Sequence, residues 1–221
     1  DCADQAAEDV RNDNNGGGHA QGIFLGGASD WLVEGCVLDN NARSKNDMFC
    51  HNLYVHELSG PGIFKDNISS RACSHGGQQR PGGLAENNLF LQNPINYYMG
   101  GRSELLGMDT TNFFRLNVAL DSRDINPTDV RAIGYVLSGA AGTVVDRNVA
   151  AHQKTGTRNV VAFDMDGLIL ASVTGNYVYD WTWGGMWWGS AFITESGSYL
   201  SEFRNNRAYM PTGGMCLTDA G

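Results

Sequence analysis

Side chains able to move protons and to hold an anion gather in one stretch of the chain. Tyr54, His56 and His75 supply a phenol and two imidazoles, Arg80 supplies a guanidinium, and Arg71, Gln78, Tyr98 and Arg102 stand around them. Imidazole and phenol groups act as general bases and acids, while a guanidinium neutralises a carboxylate or the oxyanion that grows from it. Residues 65–102 carry Lys65, Arg71, Arg80 and Arg102 against Asp66 and Glu86, a local excess of positive charge within a chain of formal net charge -9. That contrast predicts an anion-binding stretch. The bland alternative is a solvated surface whose arginines tie turns together.

Two further groups bear on chemistry. Asp164 and Asp166, in FDMDG, are two apart; on a strand they share the outer face at about 6.6 Å. Such a pair suits an inverting glycoside hydrolase or a calcium site, and its bland reading is solvated charge beside a turn. The run YVYDWTWGGMWW, Tyr177 to Trp188, holds four of the five tryptophans. Trp187 and Trp188 could stack on sugar rings, whereas Trp181 reads as packing.

The elements that must position these groups emerge from an internal repeat. Segments VEGCVL, FKDNIS, AENNLF, FRLNVA, VDRNVA, VTGNYV and FRNNRA align on Cys36, Asn67, Asn88, Asn117, Asn148, Asn176 and Asn206. Three positions earlier stand Val33, Phe64, Ala85, Phe114, Val145, Val173 and Phe203, all apolar. A strand, a bend at Asn and a second strand account for these columns, because Asn tolerates the left-handed backbone and stacked amides bond from coil to coil. Each coil buries its apolar face only against neighbours about 4.7 to 4.9 Å away. The prediction is an all-β, right-handed parallel β-helix of about seven coils with an asparagine ladder.

Another strand precedes each bend: GIFLGG, NLYVHE, GGQQRP, INYYMGG, IGYVLSG, VAFDMDG and SAFITES. Alternation points Ile23, Leu25, Leu53, Val55, Phe163 and Met165 inward. It turns Tyr54, His56, Gln78, Arg80 and Tyr98 outward onto one parallel sheet, with Arg102 in the following turn. The segment RACSHGGQQRPGG fits the repeat least, and its two Gly-Gly pairs read as clearance for a ligand. A leucine-rich repeat is excluded because its LxxLxL run is missing.

HNLY (His51 to Tyr54), SRACSHGGQQRPGG and ENNLFLQNPI (Glu86 to Ile95) resemble the right-handed parallel β-helix proteins of the pectate-lyase-like superfamily, which include secreted polysaccharide lyases such as alginate lyases. The resemblance spans roughly Gly22 to Gly101. It implies the fold strongly and activity weakly, since such folds also serve glycosidases, tailspikes and adhesins. No DPHD-like epimerase signature occurs, and SHGG at Ser74 to Gly77 only partly echoes the polygalacturonase GHG segment.

The functional expectation is an extracytoplasmic carbohydrate-active protein, a lyase cleaving an anionic polysaccharide by β-elimination. Tyr54, His56 or His75 would transfer protons, Arg80 with Arg71 or Arg102 would neutralise the uronate, and Gln78, Tyr98, Trp187 and Trp188 would bind sugar. Rival readings are a non-catalytic glycan-binding adhesin or tailspike-like shaft, and a glycoside hydrolase using Asp164 and Asp166. No cofactor follows from the sequence beyond calcium at that Asp pair.

Composition sets the outer limits. With 15 Lys and Arg against 24 Asp and Glu, general nucleic-acid binding is disfavoured. No stretch approaches the roughly 18 to 20 apolar residues that cross a bilayer. Residues 1–221 read as one domain, with 1–18 an irregular lead-in or cap, 19–221 the coils, and a piece of a longer solenoid as the alternative. Cys50 and Cys73 fall on successive coils, either as a disulfide or as two small buried hydrophobes.

Overall fold

A computed structural model describes residues 20–41, 48–101, 111–153, 155–157, 159–182, 190–195 and 197–219. The expected lead-in or cap at 1–18 lies outside them. The described residues form 22 strands and no helix, so the fold is an all-β parallel solenoid. Its strands, numbered in chain order, build three parallel sheets of eight, seven and seven strands.

Sheet A runs β1 (Ala20–Leu25), β4 (Cys50–Val55), β7 (Gln78–Gln79), β10 (Ile95–Gly100), β13 (Arg131–Ser138), β16 (Asn159–Asp166), β19 (Ser190–Thr194) and β22 (Met215–Asp219). Every third strand returns to the same sheet, giving seven coils of three strands with β22 opening the next. Sheet B begins with β2 (Leu32–Glu34) and sheet C with β3 (Val37–Asp39); the Asn column lies between these two sheets.

The ladder is bonded along its length. Asn117 Nδ2 donates to the Ala85 carbonyl (3.0 Å) and to Asn148 Oδ1 (3.1 Å), while Asn117 Oδ1 accepts from Asn88 N (3.1 Å) and Nδ2 (2.9 Å). The same pattern repeats at Asn67, Asn88, Asn148 and Asn176. Cys36 takes the first rung with its backbone N–H alone. The bend differs from expectation in one respect: the left-handed residue is the one before each Asn, namely Gly35, Asp66, Asn87, Leu116, Arg147, Gly175 and Asn205, at φ between 52° and 66°. This frees the Asn to turn its amide into the corner, where bonding rather than backbone tolerance selects it.

The apolar column three residues before the Asn is buried from Val33 through Val173, with Phe203 half-buried at the end. The column one residue after it faces outward, as at Val37 and Ile68, because the bend reverses the alternation; Leu38, Phe90, Ala119, Ala150 and Val178, one further on, are buried instead. Inside, the rings form a continuous row: Tyr97 stacks on Phe114 of its own coil (5.8 Å), Phe114 meets Tyr135 of the next edge-on (4.8 Å), Tyr135 lies tilted against Phe163 (5.0 Å) and Phe163 stacks on Phe192 (4.9 Å). Each buried ring contributes about 1.5 to 3 kcal/mol relative to exposure. Leu53, Val55, Phe163 and Met165 point inward as the alternation predicts, and Ile23 and Leu25 pack against the same core.

Cys50 and Cys73 lie on adjacent coils as fully buried thiols, with Cys73 Sγ 3.9 Å from the Cys50 carbonyl oxygen. The Gly-Gly pairs of coil three do not clear room for a ligand. A Cβ on Gly77 would strike the buried Tyr97 ring, and one on Gly83, at φ 122°, would strike the Gly62 backbone. These glycines allow close packing of the short coil.

Candidate functional site: a cleft along sheet A

Strict alternation breaks once along sheet A, and that break shapes a cleft. Asn52 and Leu53 are consecutive and both buried, as are Asn96 and Tyr97. Asn52 Nδ2 donates to the Leu38 and Ser70 carbonyls, and Asn96 Nδ2 donates to Ser122 Oγ, so these amides serve a second corner while Leu53 and Tyr97 serve the core. Outward residues on either side are therefore three apart. One column aligns His51, His75, Ile95, Ile133 and Val161; the other aligns Tyr54, Gln78, Tyr98, Val136 and Asp164. Together they line a cleft of about 530 Å³.

One end is aromatic and basic. The His51 ring lies 4.6 Å from His75 and 5.2 Å from Tyr54, His75 lies 6.2 Å from Tyr98, and the Arg80 guanidinium sits 5.9 Å from the Tyr54 ring centre. Nε2 of His51 donates to the Met48 carbonyl (2.9 Å), and Nδ1 of His75 meets Ser74 Oγ (2.7 Å). Burial, reinforced by charge from His51, Arg131 and Arg80, holds His75 well below the ordinary imidazole range. It is neutral at neutral pH and so able to accept a proton. Burial pushes the Tyr98 phenol up, keeping it protonated. Nε of Arg80 is buried without a hydrogen-bond partner, and the Glu57 carboxylate approaches it only to 3.8 Å.

The middle is apolar: Ile95, Ile133 and Val136 form a small buried cluster against Tyr98, and Val161 extends it. The far end is acidic, with Asp164, Asp166 and Glu195. Burial, then Glu195 and Asp166, raises the Asp164 carboxyl to about 7, and burial also raises Glu195. Asp164 Oδ1 is shut off from solvent and meets no donor. Asp164 and Asp166 are each half-buried, so the reading of this pair as solvated charges beside a turn fails only at the shut-off Oδ1 of Asp164. Among the described residues no group of three His, Cys, Asp or Glu side chains is arranged to hold a metal.

Of the residues singled out in the sequence, Tyr54, His75, Gln78, Arg80 and Tyr98 meet in this cleft, joined by Asp164 and Asp166. His56 does not line it; its ring packs beside Tyr54 (6.1 Å) and Phe24 (6.4 Å), and its Nδ1 accepts from Leu58 N. Arg71 follows a strand of sheet C, away from the cleft, and is paired with Asp39. Lys65 is likewise paired with Glu34 at 2.7 Å, and Arg115 answers Glu86 at 2.7 Å. Two of the four cations of residues 65–102, Lys65 and Arg71, are thus met by acids of the preceding coil, while Arg115 takes up the segment's own Glu86. Arg102, Trp187 and Trp188 lie outside the described residues. Trp181 is fully buried, as packing predicts.

Sequence reasoning missed Arg131, Glu195 and the meeting of the Asp pair with the basic group. The signal was present: aligning INYYMGG, IGYVLSG and VAFDMDG puts Tyr98, Val136 and Asp164 in one column. Fold and site define a parallel β-helix protein with an elongated cleft across one sheet, polar at both ends and apolar between. Comparison with models of known families, with curated proteins and with solved structures found no match. No helix among the described residues is long and apolar enough to cross a membrane.

Proposed function

We propose that the cleft binds an anionic polysaccharide and cleaves it by β-elimination, in the manner of the pectate-lyase-like β-helix enzymes that the sequence resembles. The observation that carries this reading is the convergence of His75, Tyr98, Tyr54 and Arg80 at one end of a cleft whose middle is apolar. Arg80 would neutralise the uronate carboxylate and so acidify the C5 proton. Neutral His75 takes that proton, the C4–O bond breaks as the C4–C5 double bond forms, and protonated Tyr98 delivers a proton to the leaving oxygen. Both groups project from sheet A with their rings 6.2 Å apart, so removal and delivery would occur at one face of the sugar ring. Pyranose rings would lie over Ile95, Ile133 and Val136. Such polymers are met outside the cytoplasm, and the proposal carries that location with it.

A second reading is favoured by Asp164. A carboxyl held at about 7 beside Asp166 and Glu195 has the character of a general acid next to its base, as a glycoside hydrolase requires. Incubation with alginate, pectate and related uronans, with and without calcium, separates the cases. Elimination creates an ultraviolet-absorbing unsaturated end; reducing ends without that absorbance support hydrolysis. Retention of glycan with neither signal makes the protein a binding module and overturns both.

A further inference from the structure

The acidic end of the cleft answers a ligand chemistry that elimination does not use. Asp164 lines the cleft as a half-buried side chain, and its Oδ1 meets neither solvent nor a donor. Leaving a buried acceptor bare is unfavourable, so a ligand donor in the cleft, met by a turn of the carboxylate about its Cβ–Cγ bond, recovers that loss. Asp166 continues the outward face of β16, and Glu195 follows the neighbouring β19. A sugar hydroxyl would supply only the missing bond. An ammonium supplies the bond and also offsets the mutual repulsion of three acids. A divalent metal is the rival cation, but hard cations take about six or more oxygen ligands, and these side chains are not arranged as a ligand set.

At the opposite end Arg80 presents a buried Nε that makes no hydrogen bond. From β7, which Arg80 follows, to β16 is three strand spacings, about 14 Å along the solenoid. The two ends therefore meet different sugars of one chain lying across the apolar floor. We propose that the preferred ligand is a polysaccharide bearing both carboxylates and unsubstituted amino-sugar nitrogens, with an ammonium at Asp164, Asp166 and Glu195 and a carboxylate at Arg80. This rests on the reading of the cleft as a glycan site and does not require elimination.

Titration calorimetry of the full chain at neutral pH with glucosamine oligomers and with N-acetylglucosamine oligomers of equal length tests it. The amine form is expected to bind at least about tenfold more tightly, the scale of one charge-assisted bond. That preference should collapse towards one in Asp164→Asn, and shrink in Asp166→Asn and Glu195→Gln, each confirmed as folded by circular dichroism. Equal binding of the two forms, or a preference that survives in all folded variants, overturns the proposal. A parallel assay of uronan cleavage keeps the two claims apart. Elimination without an amine preference sinks this inference alone, whereas an amine preference without elimination supports it and sinks the lyase.

Discussion

The asparagine corner and the sheet A cleft are both columns of polar side chains stacked in register, yet they treat hydrogen bonding in opposite ways. In the corner every rung from Asn67 to Asn176 donates to a carbonyl and to the next amide. In the cleft Arg80 Nε and Asp164 Oδ1 are buried with no such partner. Buried polar groups are normally satisfied, so a saturated column belongs to the scaffold and an unsaturated one awaits something from outside. Neither polar burial nor an unmet atom marks a site by itself, since Thr143 Oγ1 and Trp181 Nε1 are also buried without a partner; Arg80 and Asp164 differ in lining a cleft.

Substitutions at the two places should separate these roles. The largest effect is expected from Arg80→Ala, which under the elimination reading lowers turnover by about 10²- to 10³-fold, the scale for losing a group that stabilises developing charge. The thermal transition of that variant should stay close to the parent's, and a variant that keeps parental turnover removes Arg80 from the site. Asn117→Ala inverts the pattern: it strands Asn88 N and leaves the Ala85 carbonyl and Asn148 Oδ1 each one donor short, Asn148 Oδ1 keeping the backbone N–H of residue 117, at about 3 kcal/mol in urea unfolding. Its turnover per folded molecule should be unchanged, and a rate loss without destabilisation would place catalysis in the corner.

The smallest of the three is a pH effect. The Asp164 carboxyl lies near 7 in the folded chain against an ordinary 3.8. Between those values the unfolded chain ionises this group while the folded chain keeps it protonated, so stability falls as pH rises through that window. Asp164→Asn removes the ionisation and should gain about 2 kcal/mol over the parent between pH 5 and pH 8, read by urea unfolding at both. His75 acts in the other direction: kept neutral by burial, it costs stability as pH falls below the ordinary imidazole range. It is common to both proteins and cancels in the difference. A difference that does not change with pH would mean that Asp164 ionises normally.

The contrast between corner and cleft also explains what could be read in the residues. The ladder was legible because identical bonding needs recur each coil and select the same residue type at spacings of 21 to 31. Cleft residues obey no such repetition; each column changes chemistry from Tyr54 to Asp164, so only register could assemble it. Tyr54, Gln78, Arg80 and Tyr98 were placed correctly by alternation. His56 also faces outward, but the chain leaves the strand after Val55 and its ring rests beside Phe24 and Tyr54 outside the cleft lining. Arg71 failed for another reason: sequence proximity to Arg80 spans a corner, and Asp39 of the preceding coil claims its guanidinium. The pairing of charges between coils is invisible to a count along the chain.

Hydrogen exchange measured with and without a uronate oligosaccharide tests most directly whether the unsaturated column is the ligand site. Slowed exchange should appear in β4, β7, β10 and β13, while the backbone amides of the asparagine corner between sheets B and C stay as they were. Protection centred on that corner, or on the outer faces of sheets B and C with sheet A unaltered, would contradict the account.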